Sequence, residues 1–201
     1  MNFLNLLDKI NKLQYDIARD AFPYIFMRPM FKFIKENYKS DKGLTGVEIG
    51  VSIGRNAHNI LLNFPIKKLY LVDPYELYND FTSTQSDWVD KMDAKKTYDI
   101  AVKRLKAFDK KVVFVKKKSE DALLDIPSGL DFVYIDGVHN YEYVKKDIEL
   151  YYPKVKKGGV IGGDDFCADF IGLVGAVTEF ADKKNVKLYG DNRDWWIVKE
   201  E

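Results

Sequence analysis

The sequence predicts an α/β protein with a doubly wound, mostly parallel sheet that ends in an antiparallel hairpin. Short apolar runs alternate five times with stretches of helical periodicity, and this alternation is typical of parallel strands joined by crossover helices. At the C-terminus, the runs NVKLY and WWIVKE are separated only by GDNRD. Because so short a segment cannot make a parallel crossover, it favours a hairpin at the edge of the sheet.

The elements can be assigned in order along the chain. Apolar residues recur at helical spacing from Phe3 to Ile17, which predicts an amphipathic helix, and a second helical piece is expected around residues 30–38. The linker SDKGLTG then leads into strand–helix pairs, which are VEIGV with 55–63, KKLYLVD with 90–108, KVVFVK with 120–124, DFVYID with 141–152 and GGVIGG with 171–181. We expect residues 1–43 to form an N-terminal helical segment packed on a core domain, residues 44–201. The apolar stripe of the first helix could instead bind a second copy of the chain, giving a homo-oligomer.

Composition excludes several classes of partner. The 201 residues carry 32 basic and 31 acidic side chains, a net charge of +1, which gives no reason to expect nucleic acid. Asp8, Lys9 and Lys12 interrupt the first apolar stretch, so it predicts neither a secretion signal nor a membrane span. The single cysteine, Cys167, excludes an internal disulfide and suits a cytoplasmic location.

A glycine-containing turn follows the first predicted strand, in VEIGVSIGRN. Gly50 and Gly54 would let the backbone approach a ligand at the start of the next helix, whereas Ser52 stands where a dinucleotide fingerprint requires glycine. Asp73 ends the second strand 73 − 54 = 19 residues after Gly54, close to the spacing at which an acid accepts hydrogen bonds from a ribose. With Glu48 ahead of the glycines, this order favours a nucleoside site, although Asp73 could also simply cap the turn before Pro74.

Two further segments flank the predicted nucleoside site. Ser119 and Glu120 follow the third strand, where an adenine would lie if Asp73 held the ribose, and Ser119 is expected to be a helix N-cap. The segment 74–88 carries Tyr75, Tyr78, Phe81 and Trp88. It predicts either a lid that binds an acceptor or an aromatic loop that packs down on the domain.

Three carboxylates are expected to converge at the carboxyl edge of the sheet. Asp136 closes the run FVYI, and Asp164 and Asp165 close VIGG, so parallel strands would bring their side chains together, where they repel one another unless a cation lies among them. His139 lies in the turn after Asp136, just before an apolar stripe expected in the core: Tyr141, Val144, Ile148 and Tyr151. His58, on the helix after the glycine turn, is interpreted as a packing or surface residue.

These motifs together resemble a known family. The order VEIGVSIG, LVD, KKSEDAL and FVYIDGVHNYEYVKKDIELYYPKVKKGGVIGGDD is similar to the Rossmann-like class I S-adenosylmethionine-dependent methyltransferases, and among them to the metal-dependent sugar O-methyltransferases of the macrocin and mycinamicin type. The similarity runs from Gly46 to the C-terminus. Catechol-type relatives carry a lysine three positions after the first metal ligand, whereas this chain has His139 there, as the sugar-modifying branch does.

The resemblance implies a site and a reaction. It implies that S-adenosylmethionine contacts Glu48, Gly50, Ser52, Gly54, Asn56, Asp73, Ser119, Glu120 and Asp136. It also implies that Asp136, Asp164 and Asp165 bind Mg²⁺, or Mn²⁺ or Ca²⁺, while His139 takes the proton of a sugar or glycan hydroxyl with Asp136 beside it. Three other readings stay open: a phenolic or catechol-like acceptor, a nucleoside-binding module without catalysis, and a nicotinamide oxidoreductase, which Ser52 disfavours.

Overall fold

A seven-stranded sheet forms the centre of the molecule. The computed structural model describes residue 18 and residues 25–38, 43–76 and 93–200. The strands are β1 Leu44–Ile49, β2 Ile66–Val72, β3 Val112–Val115, β4 Leu130–Ile135, β5 Val155–Gly163, β6 Leu188–Asp191 and β7 Asp194–Val198. They lie in the sheet in the order β3-β2-β1-β4-β5-β7-β6. The helices are α1 Pro29–Asn37, α2 Arg55–Asn63, α3 Ala94–Leu105, α4 Ser119–Ala122, α5 Tyr141–Tyr151 and α6 Ile171–Lys184.

The pairing of the strands confirms the predicted fold class. Strands β1 to β5 pair in parallel, and β7 is antiparallel to both β5 and β6. Because β1 lies between β2 and β4, the chain winds outward from β1 in one direction and then returns to build the other half of the sheet. The carboxyl ends of β1 and β4 therefore lie side by side, where open α/β sheets bind their ligands.

Two apolar cores cover the two faces of the sheet. One face packs against α1, α2 and α3, and the other packs against α4, α5 and α6. The stripe predicted on α5 lies in the second core: Val144, Ile148 and Tyr151 are buried, and Tyr141 is partly buried against them. The apolar residues that recur at helical spacing in the sequence therefore form the face by which α5 packs on the sheet.

Strand boundaries differ from the sequence-based expectation at two places. Strand β1 begins at Leu44, inside the segment expected to be a linker, because the Leu44 amide donates to the carbonyl of Pro65 at 2.8 Å and the residue pairs with Ile66. In the predicted hairpin, β6 and β7 extend until Asp191 faces Asp194. Gly190, Asp191 and Asp194 of GDNRD are therefore paired in the strands, and Asn192 and Arg193 form a tight turn.

Helix α1 corresponds to the second helical piece, expected around residues 30–38 of the N-terminal segment. Met30, Phe31 and Ile34 of α1 are buried against the sheet. The expected helix at residues 3–17 and most of the expected aromatic lid, including Tyr78, Phe81 and Trp88, lie outside the described residues. No helix within the described ranges is long and apolar enough to cross a membrane.

Candidate active site

The glycine turn after β1 is packed directly against the end of β4. Gly50 has a φ of 83°, and a Cβ added there would lie 2.1 Å from the carbonyl oxygen of Asp136. The Asp136 amide in turn donates to the carbonyl of Ile49 at 2.7 Å. Only glycine fits this position, because both the left-handed backbone and the approach of Asp136 exclude a side chain.

Asp73 organises that turn. Its Oδ2 accepts hydrogen bonds of 2.9 Å from the amides of both Val51 and Ser52, and its Oδ1 accepts one of 2.8 Å from the amide of Tyr75. Ser52 has a φ of 48°, a left-handed conformation that a serine adopts only when its surroundings hold it there. Asp73 therefore caps its own turn, as one sequence interpretation held, and it also fixes the glycine turn.

Tyr75 is the one aromatic residue of the predicted lid that the structure describes. It is buried, and its hydroxyl donates to the carbonyl of Ser52 at 3.1 Å. Burial, followed by the charges of Asp73 and Glu48, raises the pKa of Tyr75 well above its usual range. At this residue the aromatic segment packs down onto the glycine turn.

Glu48 is buried at the end of β1, next to the first residues of α2. Asn56 of α2 donates to Glu48 Oε1 at 3.0 Å. Gly54, with a φ of 72°, precedes the first residue of α2 and starts the helix from a left-handed conformation. Glu48, Gly54 and Asn56 thus lie together beside the turn that Gly50 opens.

Ser119 and Glu120 begin α4, after β3. The N-cap residue is Lys118 rather than Ser119, so the expected N-cap is wrong by one position, and no side-chain cap is formed. Ser119 donates to Glu120 Oε2 at 3.3 Å, and Lys146 bonds Glu120 Oε1 at 3.0 Å. Burial opposes ionisation of Glu120, but hydrogen bonds from its own backbone amide and from Lys146 lower its pKa below the usual value.

Asp136, His139 and Asp165 converge at the carboxyl edge. Each offers one donor atom, and these atoms all lie within 4.8 Å of one another. His139 Nε2 is 3.2 Å from Asp165 Oδ2 and 3.8 Å from Asp136 Oδ1, and the imidazole packs edge-on against Phe170 at 4.7 Å between centroids. Two carboxylates thus face one imidazole.

Asp164 faces a different set of partners. Its Oδ1 pairs with the guanidinium of Arg28, the residue just before α1, and accepts a hydrogen bond of 2.6 Å from the Asp165 amide. Arg28 also lies 2.8 Å from Asp194 Oδ1 and donates through Nε to the Tyr134 hydroxyl at 2.7 Å. Of the three acids expected to share a cation, Asp136 and Asp165 flank His139, whereas Asp164 is turned toward Arg28.

Burial and charge shift the titration of these groups. Burial, followed by the charge of Asp164, raises the pKa of Asp136, and the neighbouring imidazole of His139 only partly opposes this. Burial alone would lower the pKa of His139, but the nearby carboxylates of Asp136 and Asp165 outweigh burial and raise it. Arg193, from the turn between β6 and β7, donates to Asp165 Oδ1 through Nε at 3.0 Å.

The donor set fits a divalent cation. Carboxylate oxygens are the ligands that Mg²⁺, Mn²⁺ and Ca²⁺ prefer, and an imidazole is compatible with Mn²⁺ and the later transition metals. Asp136 and Asp165 present such oxygens side by side, with His139 between them. Arg28, Arg193 and Asp194 escaped prediction because they are remote in sequence from the acids and belong to no motif.

Comparison with known proteins gives one family match and one curated relative. Residues 46–166 match a family described as a methyltransferase domain. The chain is 31% identical over 128 residues to an uncharacterized protein of Acanthamoeba polyphaga mimivirus, an alignment that covers 61% of this chain and 52% of the viral protein. The chain therefore spans about half the length of the curated relative it matches.

Solved structures of similar fold include several methyltransferases. The O-methyltransferase NovP superimposes with a TM-score of 0.61 at 20% identity, covering 84% of this chain and 75% of NovP. An O-methyltransferase from Bacillus cereus, in complex with SAH, gives 0.60 at 14% identity over 94% and 91% of the two chains. The MycE methyltransferase of the mycinamycin biosynthetic pathway, in complex with Mg and SAH, gives 0.57 at 15% identity over 85% and 49%.

The family match and the fold agree with the predicted class. The matched segment extends from β1, through the glycine turn and Asp73, to the residue after Asp165. It therefore contains both carboxylates that flank His139. The chain belongs to the methyltransferase-domain family, and its fold is that of the class I S-adenosylmethionine-dependent methyltransferases.

Proposed function

We propose that this protein is a divalent-metal-dependent O-methyltransferase that transfers the methyl group of S-adenosylmethionine to a sugar hydroxyl. The observation that carries the proposal is the convergence of Asp136, His139 and Asp165 beside the glycine turn. His139 would thereby act as a proton acceptor, and the carboxylates would form an oxygen-rich cation site, next to the sheet edge at which open α/β folds bind their ligands. Residues 44–201 would form the catalytic domain, with α1 of the N-terminal segment packed on its sheet.

The cofactor would be held along the carboxyl ends of β1, β2 and β3. The residues that would hold it are Glu48, Gly50, Ser52, Gly54, Asn56, Asp73, Ser119, Glu120 and Asp136. Gly50 and Asp73 fix the conformation of the glycine turn. The carboxylate of Asp73 accepts three amide hydrogen bonds, and of its roughly four lone-pair sites one would remain for a ribose hydroxyl. When bound, S-adenosylmethionine supplies a methyl group on a positively charged sulfur, which an oxygen nucleophile displaces in line.

The cation would be held by Asp136 and Asp165, with Asp164 as a third oxygen donor. When bound, such an ion lowers the pKa of an acceptor hydroxyl and orients it. Asp136 is suited to this role by its partly buried position at the carboxyl ends of β1 and β4, where its amide donates to Ile49 and fixes its distance from the glycine turn. Asp165, with a φ of 62°, is held in an unusual conformation that aims its carboxylate toward His139.

His139 would take the proton of the acceptor hydroxyl. Its imidazole is fixed by Phe170 on one side and by two carboxylates on the other, so its orientation is set before an acceptor arrives. The same carboxylates raise its pKa and stabilise the imidazolium that forms on proton transfer.

The second candidate acceptor is a phenolic or catechol-like hydroxyl. The ring of Phe170 against His139 favours it, since a flat aromatic acceptor could pack on the same wall. His139 favours the sugar acceptor, because a poorly acidic alcohol needs a general base more than a phenol does.

Methyl transfer to a panel of acceptors tests the proposal. The full chain would be incubated with isotope-labelled S-adenosylmethionine, Mg²⁺ or Mn²⁺, and a series of sugars, glycans and catechols, with and without a chelator. We expect label in a sugar product and its loss in excess chelator. Full activity in chelator would overturn the metal requirement, and transfer only to catechols would replace the sugar with the second candidate. We also propose a cytoplasmic location, which the free Cys167 suits.

A further inference from the structure

A buried polar network lies beneath the candidate metal site, on the side of α1. Arg28 contacts Asp164, Asp194 and Tyr134, the Tyr134 hydroxyl donates to Asp194 Oδ1 at 3.1 Å, and the Met30 amide donates to Asp194 Oδ2 at 3.1 Å. Tyr134 and Asp194 are almost fully buried, whereas the side chains of Arg28 and Asp164 retain 30% and 16% of their exposure. Among the described residues, Arg28 and Asp164 therefore connect this network in the protein interior to the site.

Arg28 cannot leave this position without cost. Its planar guanidinium contacts two carboxylates and a tyrosine oxygen at once, which a single ammonium group cannot reproduce. Its backbone is held by its place directly before α1, whose buried side chains fix the helix to the sheet. The family match begins at residue 46, so Arg28, which pairs with Asp164, belongs to the N-terminal segment outside the match.

We propose that Arg28 competes with the metal ion for the carboxylate of Asp164 and thereby weakens metal binding at Asp136 and Asp165. This inference rests on the proposed function, because it assigns Arg28 an effect on the cation site described there. Arg28 is a positioning residue: it holds Asp164 away from the group formed by Asp136, His139 and Asp165. Asp164 would join the ion only when its pairing with Arg28 is broken, so part of the energy of metal binding is spent on that exchange.

Direct binding of Mn²⁺, followed by calorimetry or by electron paramagnetic resonance, tests the competition without reference to turnover. Substitution Arg28→Met should tighten Mn²⁺ binding by about tenfold or more, because it frees a carboxylate close to a doubly charged ion. Arg28→Lys keeps the positive charge but loses the planar guanidinium that contacts two carboxylates at once. It should therefore increase the affinity for Mn²⁺ by a smaller factor. Weaker or unchanged binding in both variants would overturn the proposal.

The background Asp164→Asn separates competition for Asp164 from simple charge repulsion. In that background Arg28 still faces Asp194 at 2.8 Å, so its charge stays compensated. The gain from Arg28→Met should then fall to about threefold or less, since the carboxylate that it frees is gone. An equal gain in both backgrounds would show that Arg28 does not act through Asp164.

Asp194→Asn gives a variant that leaves Arg28 in place and should act in the opposite direction. Removing this acid leaves Asp164 as the one carboxylate partner that Arg28 has in the network, so Mn²⁺ binding should weaken severalfold, and tighter binding would contradict the proposal. Each variant would be checked for a cooperative thermal transition. If Arg28→Met does not fold, Arg28→Lys and Asp194→Asn still decide the question. Absence of Mn²⁺ binding by the unmodified protein would instead contradict the proposed function.

Discussion

Burial and nearby negative charge shift the pKa of His139 in opposite directions. Burial disfavours its charged form, whereas Asp136 and Asp165 favour it, and the carboxylates prevail and raise the pKa of His139 above its usual value of 6.5. The sequence predicts that His139 lies near these acids, but not that its second carboxylate is Asp165 rather than the adjacent Asp164. The imidazole is therefore a base whose strength is set by tertiary contacts.

Substitution His139→Gln should remove that base. We expect turnover to fall roughly 10²–10⁴-fold with little loss of stability, since a general base contributes about that factor. In the unmodified protein, turnover should rise with pH through the raised pKa of His139, because only the neutral imidazole accepts a proton, and the variant should lack this rise.

A matched control is available in the second histidine. His58 lies on α2 and packs edge-on against Phe108 at 5.8 Å, on the helix side of the glycine turn. His58→Gln should therefore keep the turnover and the pH profile of the unmodified protein. If His139→Gln kept the same profile, another group would be the base.

Gly50 shows how a single residue fixes the joint between two strands. Substitution Gly50→Ala should destabilise the protein by about 2–5 kcal/mol, because the added Cβ would lie 2.1 Å from the carbonyl oxygen of Asp136 and force β1 and β4 apart.

Gly129→Ala is the matched control. Gly129 has nearly the same φ, 84° against 83°, but nothing lies within 4 Å of its added Cβ. Gly129→Ala should lower the free energy of unfolding by only about 1 kcal/mol, because it adds only the strain of an alanine in a left-handed backbone conformation. Equal losses of stability in chemical denaturation would contradict the steric argument.

At the scale of elements, the hairpin determines what surrounds the acids. Strand β7 is antiparallel to β5, so its first residues lie beside the last residues of β5, with Trp195 facing Gly163. This pairing places Asp194 and the preceding Arg193 at the carboxyl edge, next to Asp164 and Asp165. A parallel last strand would have carried them to the opposite edge.

Helix α5 carries a buried acid outside the candidate site. Asp147 is 5% exposed, and burial raises its pKa from 3.8 to about 7, while the neighbouring Ser119 side chain opposes the rise. Because its folded pKa exceeds its unfolded pKa, the folded state holds the extra proton between these values. This contribution to stability is complete below about pH 4 and is lost as the pH rises toward about 7.

Asp147→Asn should flatten this pH dependence. The free energy of unfolding of the unmodified protein, from denaturant titrations at a series of pH values, should fall by about 1–3 kcal/mol between mildly acidic and neutral pH through this group. The variant should lose that component and be relatively more stable at neutral pH. An identical slope in both proteins would show that Asp147 does not titrate in this range.

At the scale of the whole molecule, the doubly wound topology gathers residues from five strand ends at one edge. The glycine turn, Asp73, Ser119, Asp136 and Asp165 follow β1, β2, β3, β4 and β5 respectively. Ligand binding at this edge should therefore stabilise the whole domain, because it links both halves of the sheet.

Adenosylhomocysteine, the product of methyl transfer, should raise the melting temperature in a concentration-dependent way. At 100 times its dissociation constant it should add about 2.7 kcal/mol of stability, and Mg²⁺ or Mn²⁺ should add a further increment. Asp73→Ala should reduce the shift caused by the nucleoside, whereas Asp165→Ala should reduce the shift caused by the ion. A melting temperature unaffected by adenosylhomocysteine would argue against the cofactor.

The fold class, the order of the strands along the chain and the edge of the sheet at which polar residues cluster are all predictable from the sequence. Local periodicity and short spacings carry this information: the stripe on α5, the turn VEIGVSIGRN and the acids that close the runs LYLVD, DFVYID and GGVIGGDD are all visible in the chain. Which charges meet depends on tertiary contacts. Asp164 and Asp165 are adjacent in sequence, yet one faces Arg28 and the other His139 and Arg193. Successive side chains leaving a strand diverge, and their partners come from three separate places: the residue before α1, the turn after β4, and the hairpin turn between β6 and β7.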